Sequence, residues 1–313
     1  MSRATDRLTR RVTAEEAEHE VAEQGYEVAG YVTGAGSGAV TKRVTDEVAE
    51  LRELLPGVEA AVREVGARLA AVRPGEPTPG RTAAEAMAHF AELDGPAAAG
   101  LRARLGELRP QAGWVTGELE GTVPTEGEWW LCDATDGAVQ YLLGQPHWAV
   151  TATLVRDGVA VLAVVHAPQL GGRTYRAVRG GGAELDGRAV APLERELAIA
   201  VAATSQPPSA AEDRVALRRA GESLTAVLGE VLAVRNLGPT SLQVAQVGSG
   251  HLTLFWEYGA DAGNLLPGAL IAAEAGATVT DAAGAAWTAG SDSFLAAPPA
   301  LHGEVLEVLR RVR

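Results

Sequence analysis

The chain has 313 residues, of which 47% are hydrophobic and 21% are charged, and this composition excludes disorder and fibrous structure for most of its length. The 40 Asp and Glu residues outnumber the 27 Lys and Arg residues, which gives a formal charge of -13 and argues against nucleic acid or an anionic membrane as a partner. Cys132 is the only cysteine, so an intrachain disulfide and a cysteine-based zinc cluster are both excluded.

The first part of the chain contains two predicted helices. Residues 1–45 show little hydrophobic periodicity and are predicted to form a weakly ordered arm. Residues 45–73 repeat Leu and Val at helical spacing, which predicts a helix that ends at the Pro- and Gly-rich segment that follows. A second helix is predicted at 82–108, with an interruption near Asp94–Pro96.

From Trp114 onward, short apolar and β-branched runs alternate with turns, which predicts strands. Asp157 and Gly158 lie between two of these runs, and Asp-Gly in that place predicts a hairpin. The predicted strands lie at 129–132, 148–154, 159–166, 174–178, 195–204, 231–235, 252–256 and 277–280. Further helices are predicted at 209–228, 241–248, 265–275 and 299–311.

The strands and helices do not alternate strictly, which favours a layered α/β or α+β sandwich over a doubly wound parallel sheet. We divide the chain into the arm at 1–45, an N-terminal α+β half at 46–195 and a C-terminal α/β half at 196–313.

We expect a cytoplasmic protein that does not insert into a membrane. Met1–Arg11 is followed by the acidic run Glu15–Glu18 rather than by the apolar stretch of a signal peptide. No apolar run approaches the ~18 residues that span a bilayer.

The most informative segment is Trp130–Ala138, which reads W-L-C-D-A-T-D-G-A. A strand is predicted to end at Asp133, and a tight turn that Gly137 permits then presents Asp136. Two carboxylates at this spacing can bracket a hard divalent cation. Taken alone, the pattern also fits ordinary solvated aspartates, and Glu118 in the upstream loop also fits an exposed acidic loop.

The motifs of the chain, in their order, resemble the inositol monophosphatase family, a branch of the metal-dependent, lithium-sensitive phosphatases that include fructose-1,6-bisphosphatase. The family's G-E-E loop and its W-x-x-D-P-[IL]-D-G-T-x-N-F motif correspond to Gly117–Leu119 and Trp130–Tyr141. Its R-x-x-G-S-x-[AS] segment and its final W-D motif correspond to Arg235–Ser241 and Gly263–Ala277. The resemblance extends from about residue 82 to the C-terminus.

This resemblance implies a five-layer αβαβα sandwich and a phosphatase that depends on Mg²⁺. The implied catalytic and metal-binding carboxylates are Glu118, Asp133 and Asp136, and the main-chain carbonyl of Thr135 matches a further ligand position. Glu118 would orient the attacking water. The implied partner is a small phosphorylated metabolite, and the family allows a homodimer.

The resemblance also implies where the phosphate group binds. Gly137 and Ala138 match the turn whose N–H groups face phosphate at the beginning of a helix, where the helix dipole favours an anion.

The chain departs from the family pattern at several of these positions. Ala138 replaces a threonine whose hydroxyl helps to position the water. Asn264 replaces an aspartate of the second metal site and offers one neutral oxygen in its place, although Asp261 is an alternative ligand if the loop is re-routed. Nothing within Arg81–Leu93 matches the family's D-x-V-T segment.

Three hypotheses follow. The first, which we favour, is a Mg²⁺-dependent phosphatase of a small sugar, cyclitol or nucleotide monophosphate with an attenuated second metal site. The second is a catalytically inactive family member that binds an anionic metabolite or a partner. The third is a repurposed enzyme that keeps one metal.

Overall fold

The computed structural model describes residues 37–72, 82–115, 123–207 and 212–312, with side chains from residue 45 onward except at residue 83. The chain divides into two compact units, Met1–Thr45 and Asp46–Arg313, and every described strand belongs to the second unit. Of the predicted arm at 1–45, residues 1–36 lie outside the described residues.

Two long helices, α1 (Ser37–Val72) and α2 (Ala83–Leu108), form the first layer. The apolar side chains of α1 recur every three or four residues and are buried against the first sheet. They are Leu51, Leu55, Val58, Val62, Val65 and Leu69.

The interruption predicted near residues 94–96 is wrong, because α2 continues through Pro96. A proline inside a helix costs one hydrogen bond and about 3 kcal/mol or more. Beyond it, Leu101 and Leu105 are almost completely buried, and we attribute the continuity of α2 to this packing.

The first sheet has seven strands in sequence order, of which the first pair is parallel and the others are antiparallel. Its strands are β1 (Gly113–Trp114), β2 (Glu128–Asp136), β3 (Ala149–Arg156), β4 (Val159–Ala167), β5 (Arg173–Val178), β6 (Gly182–Leu185) and β7 (Arg188–Ala189). The predicted β3–β4 hairpin is confirmed, with positive φ angles at Asp157 (51°) and Gly158 (78°). The short helix α3 (Ala138–Leu142) follows β2.

The second sheet has five described strands in the order β11-β12-β10-β8-β9. They are β8 (Val201–Thr204), β9 (Ala233–Arg235), β10 (Leu254–Tyr258), β11 (Thr278–Thr280) and β12 (Ser293–Ala297). A 3₁₀ turn at Leu197–Ile199 shortens the strand predicted at 195–204. The sequence prediction missed β12, which is buried at all five positions and therefore lacks the apolar–polar alternation of a half-exposed strand.

Four more helices complete the layers: α4 (Arg214–Leu228), α5 (Thr240–Gly248), α6 (Ala262–Glu274) and α7 (Pro299–Leu309). Helices α5 and α6 pack between the two sheets, while α4 and α7 cover the outer face of the second sheet. The order helices–sheet–helices–sheet–helices is the predicted five-layer sandwich. None of the described helices is both long enough and apolar enough to cross a membrane.

Helices α5 and α6 approach each other closely at two glycines. A Cβ atom on Gly268 would lie 2.6 Å from the carbonyl oxygen of Ser241, and one on Gly248 would lie 3.1 Å from Cα of Ala272. This close approach places the second turn of α6, at Gly268, against the beginning of α5.

Candidate active site

Strand β2 carries the D-x-x-D-G motif to the edge of the middle helical layer. The prediction that this strand ends at Asp133 is wrong, because β2 continues to Asp136. Its pairing with β3 shifts register between Asp133 and Asp136, and such a bulge re-aims the side chains on either side of it. The N–H group of Thr135 donates a hydrogen bond of 2.7 Å to Oδ1 of Asp133.

Gly137 turns the chain out of β2 and into α3. Its φ of 91° lies in the left-handed region that glycine adopts without strain, and a Cβ atom there would lie 3.1 Å from the carbonyl oxygen of His147. Ala138 is the first residue of α3, so both residues lie at the beginning of a helix, while the binding of phosphate there stays a prediction.

A cavity of about 10 Å³ brings residues from distant parts of the sequence together. This volume is close to the ~10–15 Å³ that one water molecule needs. The lining residues include the two predicted aspartates and the predicted asparagine; the complete set is Leu131, Cys132, Asp133, Asp136, Thr151, Ser241, Gly263, Asn264 and Pro267.

Asp136 is held by the beginning of α5. The residue is only 5% exposed, and Oδ2 accepts a hydrogen bond from the hydroxyl of Ser241. A buried carboxylate needs such a donor or a cation, because burial of an uncompensated charge is costly. The sequence comparison placed Ser241 in a family motif but gave it no role.

Asn264 and Asp261 form a pair at the beginning of α6. The amide nitrogen Nδ2 of Asn264 donates a 2.6 Å hydrogen bond to Oδ1 of Asp261. Asn264 lines the cavity, whereas Asp261 does not.

Glu257, in β10, is a functional candidate that the sequence analysis missed. It is 1% exposed, and both of its carboxyl oxygens are buried. Burial and the neighbouring Asp261 raise the pKa of Glu257 well above its ordinary value, and burial raises the pKa of Asp261 to about 6. The available signal was a single acid inside the otherwise apolar run of β10, which is buried at all five positions.

Asp94 is a second candidate that the sequence analysis missed, because it was interpreted as part of a helix break. It projects from α2 toward the D-x-x-D-G motif, and burial raises its pKa while the neighbouring Thr135 and Arg102 counteract part of that rise. Oδ1 of Asp94 and Oγ1 of Thr135 are both buried.

Glu118, the third predicted carboxylate, lies outside the described residues. Within the described ranges, no group of three or more His, Cys, Asp or Glu side chains forms a metal-binding arrangement. The convergence of Glu118 with the two aspartates therefore stays a prediction. The oxygen donors that the cavity does provide, on Asp133, Asp136 and Asn264, fit Mg²⁺, which binds carboxylate and carbonyl oxygens.

Comparison with known proteins decides the family. The model of the inositol monophosphatase family matches residues 50–313. The chain belongs to the inositol monophosphatase family. Its sequence is 33% identical to that of inositol-1-monophosphatase of Rhizobium meliloti over 217 aligned residues. The alignment covers 67% of this chain and 79% of the relative. A SuhB protein of Neisseria meningitidis, whose name includes the term Nus factor, is 30% identical over 58% of this chain and 68% of its own length.

The solved structure of Mycobacterium tuberculosis SuhB has the same fold. It superimposes with a TM-score of 0.67 at 28% identity and covers 83% of this chain and 97% of that one. The relatives of this inositol monophosphatase family member support a phosphatase, that is, a hydrolase of phosphoric monoesters. The family uses divalent metal ions, typically Mg²⁺.

Proposed function

We propose that this family member hydrolyses the phosphoric monoester of a small sugar, cyclitol or nucleotide with Mg²⁺ as its cofactor. The observation that carries the proposal is the cavity where Asp133, Asp136 and Asn264 meet. The name of the Rhizobium meliloti relative supports a cyclitol phosphate as the first substrate to test.

In this proposal, Asp133 and Asp136 would hold Mg²⁺ together with the main-chain carbonyl of Thr135 and the carboxylate of Glu118. Bound Mg²⁺ supplies positive charge to the phosphoryl group and activates the attacking water. Asp133 and Asp136 both line the cavity, and the pairing of β2 with β3 shifts register between them.

Two further groups would act on the substrate and the water. The N–H groups of Gly137 and Ala138 belong to the turn that begins α3, where N–H groups without helical partners suit phosphate oxygens. Asp94 lies beside Thr135 of the motif, and in this proposal it would take a proton from the water, since a raised pKa makes a carboxylate a stronger base. Glu118 would orient that water.

We further propose that the second metal site is attenuated and that turnover is slow. Asn264 contributes a neutral oxygen in place of a carboxylate, which weakens cation binding. Ala138 has no hydroxyl to position the water, and such proton-relay contributions are worth roughly 10²–10⁴-fold in rate.

The alternative is a catalytically inactive or repurposed member that binds an anionic metabolite or a protein partner. Ala138 and Asn264 favour it, as does the term Nus factor in the name of the Neisseria meningitidis relative. The convergence of Asp133 and Asp136 on one cavity favours the enzyme. A cytoplasmic location, a homodimer and the division at 195–196 stay predictions.

A phosphate-release screen on the full chain tests the proposal. Sugar, cyclitol and nucleotide monophosphates are compared with and without Mg²⁺, and we expect slow, Mg²⁺-dependent release that Asp133→Asn abolishes. Asp292→Asn, at an exposed aspartate far along the sequence, is the matched control and should retain activity. Combining Ala138→Thr with Asn264→Asp should raise the rate. Release that survives both Asp133→Asn and chelation would contradict the mechanism.

A further inference from the structure

Asp261 occupies the N-cap position of α6 but does not cap the helix. An N-cap aspartate ordinarily accepts a hydrogen bond from a backbone N–H group two or three residues later. Here the side chain makes no capping bond and instead accepts the hydrogen bond from the side chain of Asn264, the third residue of the helix. Oδ1 of the carboxylate therefore faces that amide and not the backbone N–H groups of the helix.

The hydrogen bond fixes which way the amide of Asn264 faces. An ionised carboxylate only accepts hydrogen bonds, so the atom of Asn264 that faces Asp261 must be the nitrogen. The amide is planar, and its oxygen lies on the opposite branch. Since Asn264 also lines the cavity shared with Asp133 and Asp136, that oxygen is available to the cavity.

Two buried carboxyl groups, those of Asp261 and Glu257, lie behind this amide. Asp261 is 7% exposed and Glu257 is 1% exposed. A short bond of 2.6 Å to a carboxylate is charge-assisted. Such a bond polarises the amide and makes its oxygen a better donor to a cation, as outer-shell carboxylates do for metal ligands.

We propose that Asp261 is a positioning residue of the second cation site, and that it gives Asn264 the orientation and part of the charge that an asparagine lacks. Asp261 acts through the amide and does not touch the cation. The inference rests on the proposed function for the cation site, but it concerns cation affinity and not hydrolysis.

The test is a double-mutant cycle on the full chain, with Mn²⁺ as the probe and bound Mn²⁺ counted by electron paramagnetic resonance. We expect Asp261→Asn to weaken the second Mn²⁺ by about tenfold, the lower end of outer-shell effects, without changing the first. In an Asn264→Ala background, Asp261→Asn should have no further effect, because the amide that transmits it is gone. Asp292→Asn is the exposed control.

A double variant that swaps the two side chains provides a test that does not depend on the folding of the single variants. Combining Asp261→Asn with Asn264→Asp keeps one carboxylate, one amide and the hydrogen bond between them, but moves the charge to the cavity. We expect second-site affinity at least equal to that of the native chain, with a thermal midpoint close to native.

The outcomes separate the explanations. An undiminished tenfold loss in the Asn264→Ala background would make Asp261 a direct ligand and overturn the inference. A lowered thermal midpoint with unchanged Mn²⁺ affinity would make Asp261 merely structural and also overturn it. A native chain that binds no Mn²⁺ would overturn the proposed function as well, whereas unaltered two-site binding in Asp261→Asn would overturn this inference alone.

Discussion

Ser241 donates a hydrogen bond from its hydroxyl to a carboxylate oxygen of Asp136, although 105 residues separate the two in sequence. Asp136 ends β2 in the first sheet, and Ser241 lies in the first turn of α5 in the middle layer. The candidate site is thus built across the junction of two layers, and its geometry depends on how those layers pack.

Ser241→Ala should destabilise the chain more without Mg²⁺ than with it. A hydrogen bond to a buried charge contributes about 1.5–3 kcal/mol, and a bound cation would compensate Asp136 for its loss. We expect thermal melts of the metal-free variant to show a reduced midpoint, with most of the reduction recovered in Mg²⁺. Equal losses in both conditions would mean that Asp136 does not face the cation.

Asp94→Asn should lower phosphate release by roughly 10²–10⁴-fold, the usual contribution of a general base, and leave Mn²⁺ affinity unchanged. The reason is that Asp94 lies beside Thr135 but does not line the cavity of the two aspartates. The neighbouring, exposed Glu92 provides the control Glu92→Gln. Joint loss of rate and metal binding would place Asp94 among the ligands instead.

Gly268→Ala should destabilise the protein and disturb the site at the same time. The added Cβ would lie 2.6 Å from the carbonyl oxygen of Ser241 and 2.6 Å from Cβ of Val244, so α5 and α6 must move apart. Overpacking of this kind costs typically ~1–3 kcal/mol. Denaturant unfolding measures the cost, and Gly303→Ala, where a Cβ meets no atom within 4 Å in α7, is the control.

The free energy of unfolding should decrease as pH falls from 6.5 to 4, because His166 is buried in its neutral form. Burial, with the nearby Arg63, lowers the pKa of His166 from 6.5 to about 4, so between these values the unfolded chain binds a proton that the folded chain does not. The free energy of unfolding therefore declines with falling pH, by up to about 3 kcal/mol over the interval. Above pH 6.5 the contribution is complete.

The measurement compares urea unfolding of the native chain and of His166→Asn at several pH values. The difference between the two should change across pH 4–6.5 and stay constant above it. His89, whose side chain is half-buried on α2, provides the control His89→Asn, which should follow the native curve. A native–variant difference that does not vary with pH would refute the assignment.

Local patterns in the sequence predicted most of the layers, because each buried element carries its own periodicity. They also predicted that Asp133, Asp136 and Asn264 belong to one site, since the motifs occur in the family's order. Asp94, Glu257 and the pairing of Asp261 with Asn264 could not be predicted in this way. Their chemistry depends on burial and on neighbouring residues from other layers, and the local spacing of residues in the sequence predicts neither.

Cys132 places a single reactive thiol beside the candidate site. It is the only cysteine of the chain, and its residue forms part of the cavity wall beside Asp133. A thiol-directed reagent can therefore react at only one position of the chain, within one residue of the proposed metal ligands. Because this thiol is partly buried, the rate at which a small reagent modifies it reports on access to the cavity, and a cation bound there should slow that rate.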